Sequence, residues 1–136
     1  MRTLETLLKL AQRRLDDVGV QAGEAARRLD ALAVKRSDLL NRERAEVEAG
    51  TSDPAAFHLV SAYRQRVKLA LAALDVEIAE AQATSLRIRE QLTIAYQEKS
   101  RFEQLVEQAV EREAVRLEAL DQAALDEAAI NRVGRP

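Results

Sequence analysis

The sequence lacks cysteine and tryptophan, and it holds four glycines, two prolines, one histidine and four aromatic residues in 136 positions. Each scarcity removes a class of protein. Without cysteine there is no disulfide framework, no thiolate nucleophile and no thiolate metal ligand. Sandwiches, barrels and dinucleotide-binding folds use many glycine and proline turns with β-branched or aromatic strands, and those residues are scarce here. Few aromatics among many alanines also leave little area to bury per residue, which argues against a sizeable globular core. Neither sign of charge prevails: 21 lysines and arginines face 23 acidic residues, a formal net charge of −2. A nucleic-acid binder would carry a basic excess, because phosphate neutralisation supplies much of its affinity. No apolar run approaches the roughly 20 residues needed to cross a bilayer. The opening MRTLETLLKLAQRRLDD is interrupted by charge and has no apolar stretch followed by a small-residue cleavage site, so it does not read as a signal peptide. The expectation is a soluble, cytoplasmic chain without direct membrane insertion.

What is abundant is alanine (25) and leucine (19), with 32% charged residues, the composition of long helices and coiled coils. One strong break divides the chain at Gly50-Thr51-Ser52-Asp53-Pro54. Gly50 suits the left-handed position after a helix. Asp53 suits an N-cap and Pro54 the first helical position. The reading is one coiled-coil domain over 1–136, with helix 1 at about 3–49, a turn at 50–53 and helix 2 at about 54–131. Gly19 and Gly23 each weaken helix 1 by about 1 kcal/mol relative to alanine without breaking it.

Apolar spacing supports this. In helix 1 a ladder of alternating four- and three-residue steps runs from Leu4 through Leu8, Ala11, Leu15, Val18, Ala22, Ala25, Leu29 and Leu32, lapses at Arg36 and resumes at Leu39. In helix 2 it runs from Val67 through Leu71, Leu74, Ile78, Ala81, Ser85, Ile88, Leu92, Ala95, Lys99, Phe102 and Val106 to Ala109, then admits Glu113, Arg116 and Glu127. Such a 3.5-residue repeat is a left-handed coiled-coil seam. The short break folds the helices into an antiparallel two-helix coiled-coil hairpin. At 1.5 Å per residue the helices measure roughly 70 Å and roughly 115 Å, so pairing should end near residue 100 and leave an overhanging C-terminal helix.

No catalytic constellation accompanies this architecture. There is no glycine-rich phosphate loop, GxSxG, HExxH or cysteine cluster. His58 is the single histidine, and one histidine near Asp53 is too few ligands for a metal. Carboxylate pairs such as Asp16/Asp17 and Asp126/Glu127 read as solvated helix surface, because acid–base chemistry needs a dry pocket to shift their pKa values. The expectation is a chain that is not an enzyme and takes no cofactor or metal. What remains is surface for binding. The overhang at roughly 100–133 carries Phe102, Leu105, Val106, Val110, Leu117, Leu120, Leu125 and Ile130 and reads as a docking helix. A folded-back third segment or a homodimer seam is the alternative cover. The hairpin tip carries Val47, Phe57, Leu59, Val60 and Tyr63, either partner anchors or caps of the coiled coil. The N-terminal Leu4, Leu7, Leu8, Leu10 and Leu15 present an apolar arc wider than one seam needs.

Three segments then carry a resemblance. Leu4-Glu5-Thr6-Leu7-Leu8-Lys9-Leu10-Ala11 with Leu15-Asp16-Asp17, Tyr96-Gln97-Glu98-Lys99-Ser100-Arg101-Phe102, and Leu125-Asp126-Glu127-Ala128-Ala129-Ile130-Asn131-Arg132 stand in this order. In order, spacing and length the whole chain resembles the FliJ family, the small coiled-coil component of the bacterial flagellar export apparatus. The resemblance implies an antiparallel coiled coil similar to the central stalk of rotary ATPases. It implies a protein that binds and stimulates the export ATPase hexamer, contacts the cytoplasmic domain of the export gate and is linked to export chaperones. It also implies a place in the cytoplasm, peripherally associated with the inner membrane at the flagellar base. By that analogy the ATPase side comprises Phe102, Leu117, Leu120, Asp126, Glu127, Ile130 and Arg132, and the gate side Leu39, Phe57 and Tyr63. Helix 1 carries Arg42 and Glu46 where family members often have tyrosines. Two other readings share the shape: a stalk protein of a virulence-type secretion system, and a free-standing coiled-coil chaperone or scaffold without an ATPase partner.

Overall fold

Alanine, leucine and the long charged side chains lose little freedom in a helix, and nothing but the tip interrupts them. The computed structural model describes residues 2–134. Helix α1 spans Arg2–Thr51 and helix α2 spans Phe57–Val133, joined through a single 3₁₀ turn at Pro54–Ala56. No strand occurs among the described residues. The fold is all-α, an antiparallel two-helix hairpin. It divides into two compact units, residues 17–93 and residues 1–16 with 94–136.

The unit at 17–93 contains the tip. Its core is Leu32, Leu74 and Ala81, with Leu29, Leu39 and Ile78 packed against them. Val18, Val67 and Ser85 are buried on the same three-four ladder. Arg36, the lapse in the helix 1 ladder, is half-buried and sends its Nε to Asp75 Oδ1 of α2 at 2.8 Å. Its aliphatic stem lies along the seam while the guanidinium reaches out to a partner. A looser pair, Arg64 to Glu43 at 3.9 Å, bridges the helices nearer the tip.

The tip differs from the expected glycine cap. Helix α1 continues through Gly50 to Thr51, and no described residue has a positive φ. Two hydroxyls take over the capping role: Thr51 Oγ1 donates to the Glu48 carbonyl at 3.1 Å and Ser52 Oγ to the Ala49 carbonyl at 2.8 Å. They satisfy carbonyls that a helix end otherwise leaves orphaned. Gly50 is buried for a tertiary reason: a Cβ there would collide with Cγ2 of Val60. Asp53 sits at φ −120° and ψ 110°, and its Oδ1 accepts from the Ala55 amide at 3.1 Å. Pro54 follows at the start of the 3₁₀ turn, where a missing N–H costs nothing.

In the unit formed by 1–16 and 94–136, Ala11 and Ala95 are buried, and Leu4, Leu8, Leu15, Phe102, Val106 and Ala109 are half-buried. Arg14 pairs with Glu98 at 3.5 Å. Twelve residues back from Arg14 is Arg2, where α1 begins, and twelve forward from Glu98 is Val110. The burial pattern follows this register: Ala109 is the last covered position, and every residue from Val110 to Gly134 is exposed.

Candidate partner-docking surfaces

The described residues contain no group of three or more metal-ligating side chains, and none of their helices is long and apolar enough to cross a membrane. Open grooves run beside the helix pair, and three of them lie at the tip, one lined by Gly50, Leu59, Val60 and Tyr63. On one flank Val47, Phe57, Val60, Arg64 and Lys68 line a groove of about 840 Å³. On the other, Tyr63 lines a groove together with Leu39, Arg66, Val67 and Ala70. Tyr63 is half-buried, and the Arg66 guanidinium stands 6.0 Å from its ring centroid, a cation–π distance.

The tip residues named from sequence are thus divided. Leu39 and Tyr63 share one surface, while Phe57 stands on the other flank, 67% exposed. The cause is helical geometry: six residues at about 100° each leave Phe57 and Tyr63 about 120° apart around α2. Leu59 and His58 are exposed beside them.

The C-terminal residues divide too. Phe102 is half-buried on the seam, not on the free overhang. Lys99 does not end the pairing, because its stem stays half-buried while Nζ turns to Glu103 at 3.3 Å. Leu117, Leu120 and Ile130 are exposed apolar side chains, and Asp126, Glu127 and Arg132 are exposed charges on the same extension. Val115 and Val133 add to this surface, though neither is among the residues named from sequence. Arg116 donates to Glu113 through both Nε (3.1 Å) and Nη2 (2.7 Å). That hydrogen bond, reinforced by the guanidinium charge, holds the Glu113 carboxyl below the usual glutamate range although slight burial opposes it.

The extension is therefore a run of helix with large apolar residues and no intramolecular cover. The family described as "Flagellar FliJ protein" matches residues 1–136, the full length. The chain belongs to the FliJ family. Membership makes it a component of the flagellar protein-export apparatus, in a family of non-catalytic export proteins. No curated protein and no solved structure matches it. The FliJ assignment accounts for a chain whose chemistry lies in exposed helical faces.

Proposed function

We propose that the chain serves the flagellar export ATPase ring as its stalk subunit, binding and stimulating the hexamer through the C-terminal extension of α2. The observation that carries this reading is the stretch from Val110 to Gly134, exposed throughout, in a member of an export family. Val110, Val115, Leu117, Leu120, Leu125, Ile130 and Val133 stay in water unless another protein covers them. An apolar helical stripe flanked by charge is a common way for one protein to enter another's groove. Asp126, Glu127 and Arg132 would meet charges on the ring, and Phe102 would hold the base of the extension against α1.

The test is ATP hydrolysis by the purified export ATPase with the full chain carrying Leu117→Glu, Leu120→Glu and Ile130→Glu together. All three side chains are more than half exposed, so the fold survives their replacement. Stimulation is expected to fall at least tenfold. Stimulation equal to that of the unsubstituted chain overturns the reading and favours a free-standing chaperone or scaffold.

The tip is the proposed contact with the cytoplasmic domain of the export gate. Leu39 and Tyr63 support this as a shared surface, with Phe57 engaging from the opposite flank. Leu39→Ala with Tyr63→Ala, and separately Phe57→Ala, are expected to weaken gate binding while leaving ATPase stimulation intact. Export chaperones complete the proposed partners, at the cytoplasmic face of the inner membrane below the flagellum.

A further inference from the structure

Helix α2 carries a second apolar ladder. Leu69, Ala72, Val76, Ala79, Ala83 and Leu86 repeat at steps of three, four, three, four and three, and all six are exposed. They lie on the side of α2 away from the seam residues Leu71, Leu74, Ile78 and Ala81. The spacing is again that of a coiled-coil contact. Its length, seventeen steps, is about 26 Å. All of it falls within the unit at 17–93. On the exposed row of helix α1, Leu10, Val20, Ala31 and Val34 are interrupted by Arg13, Asp17, Glu24 and Arg27, so no continuous ladder forms there.

The positions flanking the ladder show what fits it. On one side they are Arg66, Ala73, Glu80 and Arg87, and on the other Lys68, Asp75, Gln82 and Arg89. Cations mark both ends and carboxylates the middle, where Asp75 is already engaged by Arg36. A second copy of the chain is a poor occupant. The antiparallel register that matches all six apolar positions sets Leu69 of one copy against Leu86 of the other. It also brings Arg66 to Arg87 and Lys68 to Arg89. A parallel, in-register pair sets Asp75 of one copy beside Glu80 of the other and gives none of the flanking cations a carboxylate. Like charges facing each other across a helix pair oppose both arrangements.

We propose that this ladder docks an amphipathic helix of a different protein, some five turns long, whose own three-four apolar stripe is flanked by carboxylates at both ends. A helix pair of this length buries on the order of 1,000 Å² in all, the lower end for specific interfaces, so the complex forms and exchanges readily. The site shares no residue with the C-terminal extension and stands or falls independently of the ATPase reading.

Two synthetic helical peptides test it by fluorescence anisotropy against the full chain. Both carry the same leucine–alanine ladder, one with glutamates and the other with lysines at its ends. The glutamate-ended peptide is expected to bind with micromolar Kd, at least tenfold tighter than the lysine-ended one. Leu69→Gln, Val76→Gln and Leu86→Gln together should remove that binding without changing the helical circular dichroism. Arg87→Glu with Arg89→Glu should erase the preference between the peptides. Equal affinity for the two, no binding of either, or full binding by the triple variant overturns the proposal. So does sedimentation of the unsubstituted chain as a dimer that the triple variant splits.

Discussion

Gly50 offers the sharpest test of the packing, because the same substitution should have opposite signs at two glycines. Replacing a glycine in a helix interior by alanine ordinarily stabilises by about 1 kcal/mol, chiefly by restricting the unfolded chain. Gly19 lies within α1 and has open space where a Cβ would stand. Gly19→Ala is therefore expected to gain up to about 1 kcal/mol. At Gly50 the added methyl meets Cγ2 of Val60, a short β-branched side chain with one strongly preferred rotamer in a helix. Turning Val60 off that rotamer or parting the helices costs roughly 2–3 kcal/mol on the scale of overpacked cores. Set against the propensity gain, Gly50→Ala should lose about 1–2 kcal/mol.

Thermal unfolding followed by circular dichroism reads these differences as Tm shifts of roughly 3 °C per kcal/mol for a chain of this size. A double-mutant cycle with Val60→Ala isolates the collision. Removing both Cγ atoms makes room for the new methyl, so the double variant should be more stable than the sum of the single losses by at least about 1 kcal/mol. A Gly50→Ala variant that gains stability as Gly19→Ala does, or a cycle that closes with no coupling, would refute the close approach of Val60 to α1.

Other outcomes follow from particular contacts. Leu74 is 5% exposed in the core with Leu32 and Ala81, so Leu74→Ala should cost about 2–3 kcal/mol in urea unfolding. Val76→Ala, two residues away on the exposed ladder, should change stability by less than about 0.5 kcal/mol. The Glu113 carboxyl, lowered by its hydrogen bond from Arg116, should titrate below its value in an Arg116→Gln variant when followed by carboxyl carbon shifts. Because the folded value is depressed, the pair's support of the helix is present above the ordinary glutamate pKa and fades as pH falls through the lowered one. Identical titration midpoints in the two chains would remove that pairing.

The two ladders that form the seam were legible because each depends only on recurrence at 3.5 residues, a signal carried by many positions at once. Val67, Leu74, Ala81 and Ala95 are buried where the period puts them. What sequence misjudged depended on single side chains answering to tertiary surroundings. Gly50 reads locally as a left-handed cap, yet the Thr51 and Ser52 hydroxyls do the capping and the glycine admits Val60. Helix length alone ends the pairing near residue 100, although the half-buried Lys99 stem, Phe102 and Val106 continue the seam to Ala109. Phe57 and Tyr63 read as one cluster because they are near in sequence, and helical rotation sets them on different flanks. The ladder from Leu69 to Leu86 was hidden behind the first. Its signal was present, and the same period applied to the leftover positions would have found it.

The two helices thus divide the labour. Helix α1 sets one apolar stripe against α2, and its outer face is mainly charged, with Leu7, Leu10, Val20 and Val34 exposed among those charges. Helix α2 is less one-sided, because its apolar residues fall on two sides and continue past Ala109, the last covered position. A helix that needed only to complete a hairpin would have no use for the second side or the extra turns. Solvation of Leu69, Leu86, Leu117 and Leu120 gives up burial worth roughly 1.5–3 kcal/mol for each fully covered side chain. Exposed apolar side chains of this kind are a reserve of burial energy that a bound helix could draw on. All four of these leucines lie on α2, so both proposed docking surfaces belong to the same helix and α1 serves as its brace.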